Sequence, residues 1–315
     1  MFASVWPSPL DLYSVRTVAL GLAALGAVAG VLGTFAVVRR QALQGDAISH
    51  AAIPGVALAF IFGARETQPL LLILGAAVAG WFAMALVSEI VQRSRVPFDA
   101  ALAGALAVFF GFGLVMISYL QKLQGRVPQN GFERWLHPHA QAATHYDLQK
   151  YLFGEAAFLS ADQAWQIVLL GGLTVLFTMI FWKEFKLVSF DRDFAASIGY
   201  PTRLLDLFLT TLIVVAVVLG LRVVGVVLMS AMLVAPATAA RQWSNRLGGV
   251  ATGAALFGAM AGFFGTIASH ELNTWKRGVP TGATVVLLAT AIVLLSMLFG
   301  IRGGRFWVYL RQRTG

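Results

Sequence analysis

Gly45-Asp46-Ala47-Ile48-Ser49-His50-Ala51-Ala52-Ile53-Pro54-Gly55 sets a carboxylate and an imidazole inside a stretch whose other residues read as membrane. An Asp at the centre of a membrane helix costs roughly 2.5–3.5 kcal/mol on the insertion scale, so such residues face a pathway or a partner rather than lipid. Asp46 and His50 stand at i and i+4, and a helix carries both on one face. That pair is half a shell for a divalent metal ion, which makes transport the first function to test.

The rest of the chain has the same membrane character. Of 315 residues, 58% are hydrophobic and 12% charged, and the mean hydropathy is +0.78. A soluble domain carries about 25% charged residues, so this chain cannot cover a globule with polar surface and reads as an all-α polytopic membrane protein. Apolar stretches of about 20 residues predict transmembrane helices, and nine are found: 15–38, 45–64, 69–91, 99–120, 163–182, 203–220, 222–241, 247–269 and 280–300. An eight-span alternative makes one of them re-entrant, which the polar start of the second permits. The pair at 203–241 is interrupted only at Leu221-Arg222, so a tight turn is expected there. Small residues recur within the spans, as at Gly21, Gly26, Gly30 and Gly33 and again at Gly253, Gly258, Gly262 and Gly265, and predict close helix packing.

The net charge of +9, from 23 basic and 14 acidic residues, would suggest nucleic acid in a soluble protein. Here it reads as basic residues flanking spans on the cytoplasmic side. With the N-terminus out and the C-terminus in, the inner side gathers 14 of the 23 basic residues, Arg39, Arg40, Arg93, Arg95, Lys183, Lys186 and Arg192 among them, leaving 9 outside (23 − 14). No cysteine is present, which excludes disulfides and thiolate metal sites. The first fourteen residues lack the pattern of a cleavable signal peptide, so the first span is expected to serve as the insertion signal.

Two segments lie outside the spans. Residues 121–162 form a long outer-face excursion with His137, His139 and His145. These histidines lack the i,i+4 register of a helical metal site, and Pro138 argues against helix there. They are weighed as a metal-collecting loop against a solvated loop that contacts a partner. On the inner face, Asp191 is suited to cap a short helix with Phe194, Ala195 and Ile198 on one face, ended by Gly199 and Pro201. A short amphipathic helix between spans is a docking element. Glu89 and Asp99 fall at span ends as solvated or paired groups, His270 reads as interfacial, and Pro236 as a kink or hinge.

Five runs resemble the membrane subunit of bacterial ABC importers for manganese, zinc and iron(II), the ABC-3 permeases. They are Val37 to Gly55, containing Arg39-Arg40 and Gly45-Asp46; Tyr151-Leu152-Phe153-Gly154; Phe190 to Gly199; Arg222 to Ala240; and Pro280-Thr281-Gly282-Ala283. The resemblance covers roughly 14–118 and 148–300. It implies a type II ABC importer permease, a single transmembrane permease domain over 1–315 with an outer-face insertion at 121–162 and a coupling helix at 190–199. It further implies a second permease copy forming the pathway, a separate cytoplasmic ATPase, an extracytoplasmic metal-binding protein, and the bacterial cytoplasmic (inner) membrane as the location. Asp46 and His50 are then the intramembrane metal contacts, with Mn²⁺, Zn²⁺ or Fe²⁺ as transported ion and no permanently bound cofactor.

The chain has no Gly-x-x-x-x-Gly-Lys-Ser/Thr run, so ATP hydrolysis is expected on another polypeptide and this chain is not itself expected to be an enzyme. Pro54 resembles the manganese and iron branch. Two competing classes are a siderophore- or cobalamin-type permease, which would not need Asp46 and His50, and a proton-coupled secondary transporter, which would need a relay and internal repeats that are not evident. The residues Ser269-His270 and Arg277-Gly278-Val279 depart from the family pattern, which leaves a gate role there unsupported.

Overall fold

Twelve helices and no strand account for the described part of the chain, residues 13–62, 69–124, 129–142, 154, 156, 159–275 and 279–301 of a computed structural model. In order they are α1 (Tyr13–Val38), α2 (Gln44–Ile61), α3 (Pro69–Arg93), α4 (Phe98–Gln124), α5 (Gly131–Ala142), α6 (Ala161–Ile180), α7 (Trp182–Phe190), α8 (Arg192–Ser197), α9 (Thr202–Val224), α10 (Val226–Arg241), α11 (Leu247–Trp275) and α12 (Thr281–Phe299). The expected spans overlap these helices, with 222–241 divided between the end of α9 and α10. Among the described residues, seven helices are long and apolar enough to cross a bilayer: α1, α3, α4, α6, α9, α11 and α12. The other two are α2, with Asp46 and His50 among its residues, and α10, which is 16 residues long.

By contacts the chain divides into two units. The first comprises residues 1–42, 155–216 and 231–315. In it α1 packs along α11 and α6, and α11 packs on α12. The small residues make this approach close: a Cβ added to Gly26 would lie 2.2 Å from the carbonyl oxygen of Gly258, so the two backbones touch. This is how helices associate where burial in water gives no driving force. At one end of the unit, Phe35 packs edge-on against Trp182 (5.3 Å between centroids) and Phe185 (6.0 Å), and Phe208 joins Phe181 and Phe185.

The second unit comprises residues 43–154 and 217–230. There α2 packs between α3 and α4, and α5 lies against α2 and α4. Gly55 and Gly75 meet at the α2–α3 crossing, where a Cβ on Gly55 would lie 2.2 Å from the Gly75 carbonyl oxygen.

Three expectations are corrected. The interruption within 203–241 is at Gly225, with φ 90°, rather than at Leu221-Arg222. A left-handed residue in a tight break favours glycine, which carries no Cβ to clash. The helix α5 runs through Pro138. A proline forfeits one backbone hydrogen bond, but Leu136 is buried where α5 packs on its neighbours and the Glu133 carboxylate accepts from the Gln129 backbone N–H at 2.7 Å. The third concerns α8: Ala195 is fully buried whereas Phe194 and Ile198 are about half exposed. Phe194 and Ile198 share the open face as an i,i+4 pair, and Ala195, one position on from Phe194, turns inward. His145 lies outside the described residues, as do the side chains of His137 and His139.

Candidate functional site

Helix α2 is unbroken from Gln44 to Ile61, through both Gly45 and Pro54. Between residues 44 and 57, every side chain is buried except Asp46 and His50. Apolar and small neighbours, Ala47, Ile48, Ala51, Ala52 and Ile53, close the rest of the helix surface. The single open strip of this segment therefore carries its two ionisable groups, on the one face that their spacing predicted they would share.

The imidazole Nε2 of His50 lies 3.5 Å from Asp46 Oδ1, with side-chain exposures of 17% and 31%. That separation is at the outer limit of a hydrogen bond, so the two groups are adjacent without being locked together. Metal–ligand bonds of about 2.1 Å to both atoms would subtend about 110° at the ion, the tetrahedral angle favoured by Zn²⁺ and accessible to softer geometries. His50 Nδ1 is buried without a hydrogen-bond partner, as are Ser49 Oγ and Gln44 Oε1. Among the described residues, no three His, Cys, Asp or Glu side chains gather into one site. Two such groups from one chain could supply only half of a metal ion's shell, and a half-shell of that kind binds weakly enough to let an ion leave.

The ring of Phe110 stacks edge-on against His50 at 4.8 Å between centroids, and this residue was not evident from the sequence. Its position answers where along the helix bundle the pair lies. Phe110 is twelve residues into α4, about 18 Å from the start of that helix by helical rise and near its midpoint. A further turn along α2, Gly113 admits the Pro54 ring: a Cβ there would meet Pro54 Cδ and Ile53 Cγ2 at 2.9 Å. The continuous helix α2 thus brings His50 alongside mid-helix α4.

Two further motifs meet in the same unit. Gly154, at φ 73°, lies against the helix break at Gly225; a Cβ on Gly154 would approach Val224 C and Gly225 N within 2.6 Å. Nothing in the sequence pairs Gly154 with the break at Gly225.

The segment from Asp191 to Gly199 forms as expected at its start. Asp191 accepts from the Phe194 backbone N–H at 2.9 Å and caps α8, and Gly199 at φ 90° follows the helix. Phe190, Phe194, Ile198 and Tyr200 are exposed around it, an apolar surface patch on an otherwise polar turn.

The remaining groups have structural roles. Glu89 pairs with Arg93, Asp99 is exposed, and α10 continues through Pro236. His270 is half-buried and lines a small cavity of about 200 Å³ with Ser14, Val15, Val18, Thr266, Ser269, Asn273 and Thr281. Ser269 Oγ and Thr281 Oγ1, 3.1 Å apart, tie α11 to the start of α12.

Residues 11–300 match the ABC 3 transport family. The chain is 38% identical over 302 residues to the zinc transport system membrane protein TroC of Treponema pallidum, covering 96% of this chain and 94% of TroC. It is also 38% identical to the manganese transport system membrane protein MntC of Bacillus subtilis, covering 96% of this chain and 65% of that one. Among solved structures, PsaBC from Streptococcus pneumoniae in complex with Fab superposes with a TM-score of 0.76 at 26% identity, over 96% of this chain and 97% of that one.

Proposed function

The chain belongs to the ABC 3 transport family, and we propose that it is the membrane-spanning permease subunit of an ATP-driven importer of divalent transition-metal ions. The observation that carries this reading is the Asp46–His50 pair, alone unburied over residues 44–57 of a helix otherwise closed by its neighbours. Carboxylate oxygen and imidazole nitrogen accept Mn²⁺, Fe²⁺ and Zn²⁺, and the named relatives transport zinc or manganese. Manganese is the first choice, on Pro54, with zinc and iron next.

In this reading the whole chain acts as one permease with nine spans, N-terminus outside and C-terminus inside, in the bacterial cytoplasmic membrane. A binding protein delivers the ion from outside. Asp46 and His50 contact it in transit, and the same two residues of a second copy complete a four-ligand site on the dimer axis. The exposed side of α8, with Phe194 and Ile198, docks a cytoplasmic ATPase, with Asp191 fixing the helix start, Ala195 packing it down and Gly199 turning the chain away. His137, His139 and His145 are assigned to contacts with the binding protein or to metal collection.

The test is uptake of Mn²⁺, with Zn²⁺ and Fe²⁺ as competitors, by vesicles containing the permease, its ATPase and its binding protein. ATP-dependent accumulation that Asp46→Ala and His50→Ala abolish is expected. Undiminished accumulation in both variants would instead favour a permease for chelated cargo, which has no need of bare-ion ligands.

A further inference from the structure

Asp206, on α9, holds two arginines from different parts of the chain. Its Oδ1 lies 3.0 Å from Arg39 Nη1 and its Oδ2 2.9 Å from Arg192 Nη2. Arg39 also donates from Nε to Ser189 Oγ at 2.9 Å, and that hydroxyl donates to the Phe185 carbonyl at 2.6 Å. One carboxylate thus joins the end of α1 to α8, while Ser189 ties the same arginine to α7. The exposure is graded: the Arg39 side chain is 11% exposed, Asp206 24% and Arg192 51%. Burial lowers the pKa of Arg39, and the facing Asp206 carboxylate opposes that shift.

Around the clamp the chain has little slack. Phe35, one turn before Arg39, and Phe185 are both fully buried in the aromatic cluster. Immediately after Arg39 the helix ends abruptly: Arg40 adopts φ 59°, unusual for a residue other than glycine, with Arg40 N bonded to Val37 O and Gln41 N to Ala36 O. This is the closure pattern of a Schellman turn, which ordinarily has glycine at the left-handed position. Five residues after Arg39, α2 begins, and Asp46 lies two residues further on.

We propose that Asp206, Arg39 and Arg192 form a charge clamp that transmits displacement of α8 to the chain reversal leading into α2, and so couples the docked ATPase to the Asp46–His50 pair. The clamp rests on the proposed transport function. In it Asp206 and Arg39 are positioning residues: they touch neither ion nor nucleotide. Separating the pair would leave the mostly buried Arg39 guanidinium uncompensated, and the left-handed Arg40 turn confines the movement to a few backbone torsions.

The test compares uptake and ATP hydrolysis in the same vesicles of the permease–ATPase complex with its binding protein. Asp206→Asn is expected to reduce metal uptake about 10-fold or more while hydrolysis stays within about 2-fold of wild type, an uncoupled transporter. Asp206→Glu, which keeps the charge, is expected to restore a measurable part of the uptake per ATP, and Ser189→Ala, which leaves both ion pairs, to stay coupled. Wild-type uptake with Asp206→Asn equally coupled overturns the clamp. So does a parallel fall of uptake and hydrolysis, or loss of the ATPase on purification, which would assign Asp206 to folding or assembly. Wild-type vesicles that show no ATP-driven uptake refute the transport reading and the clamp with it.

Discussion

His50 Nε2 stands 3.5 Å from Asp46 Oδ1 on the one open strip of an otherwise buried helix segment. The pair is close enough to share an ion and too far apart to neutralise each other in a short hydrogen bond. Removing one ligand leaves a half-shell with a single protein atom. His50→Ala and Asp46→Ala are each expected to lower metal uptake by at least about 10-fold, the scale reached even by losing a group that merely supports a ligand. Both should leave the amount of co-purified ATPase unchanged, measured on the same preparations.

Phe110 holds the imidazole edge-on at 4.8 Å. Such aromatic contacts contribute about 0.5–1.5 kcal/mol beyond area burial, enough to bias one ring orientation. Phe110→Ala is expected to raise the KM for metal several-fold with little change in ATP hydrolysis, whereas Phe110→Tyr should remain near wild type. Uptake measured against metal concentration separates the two.

The α2–α3 crossing depends on the absence of side chains at Gly55 and Gly75. A Cβ on Gly55 would meet backbone, the Gly75 carbonyl oxygen, at 2.2 Å, and backbone cannot swing aside as a flexible side chain can. Gly55→Ala is expected to destabilise the protein by about 1–3 kcal/mol, the usual cost of overpacking. Gly104→Ala, where a new Cβ would have nothing within 4 Å, should be neutral or mildly stabilising. Thermal unfolding of the detergent-solubilised variants reports the difference.

At α8, the exposed Phe194 and Ile198 and the buried Ala195 make opposite predictions. Truncating either exposed residue to Ala should weaken ATPase association several-fold without lowering thermal stability. Ala195→Leu should lower stability because its site is fully buried. Asp191→Ala removes the cap from the Phe194 N–H and is expected to cost about 1 kcal/mol of local helix stability, seen as faster amide exchange in α8. Association measured by titration with the ATPase tests the first two variants.

Local signals carried a large part of this architecture. Hydrophobic runs marked every helix that became a span segment, because a chain in lipid must satisfy its backbone within each helix. The Asp191 cap was equally local, a side chain bonding a backbone group three residues on. The misreadings came where packing outweighed local preference. Pro138 sits within α5, and Ala195 was grouped with Phe194 and Ile198 although only burial beneath α8 separates them. Ser160 illustrates a legible signal that was passed over: with Gln163 it forms a capping box at the start of α6.

The order of residues by itself determined that the chain is helical and membrane-embedded and that Asp46 and His50 share a helix face, since hydropathy and the 3.6-residue period act within one segment. Tertiary structure alone decided that this face is the open one, that His50 lies beside Phe110 at mid-helix α4, and that Asp206 gathers Arg39 and Arg192. Those arginines read only as charges flanking spans, because a sequence shows the sign of a charge and not its partner. Which residues meet across 14 or 167 positions (206 − 192 and 206 − 39) depends on how helices pack, and packing is a property of surfaces brought together rather than of any one stretch.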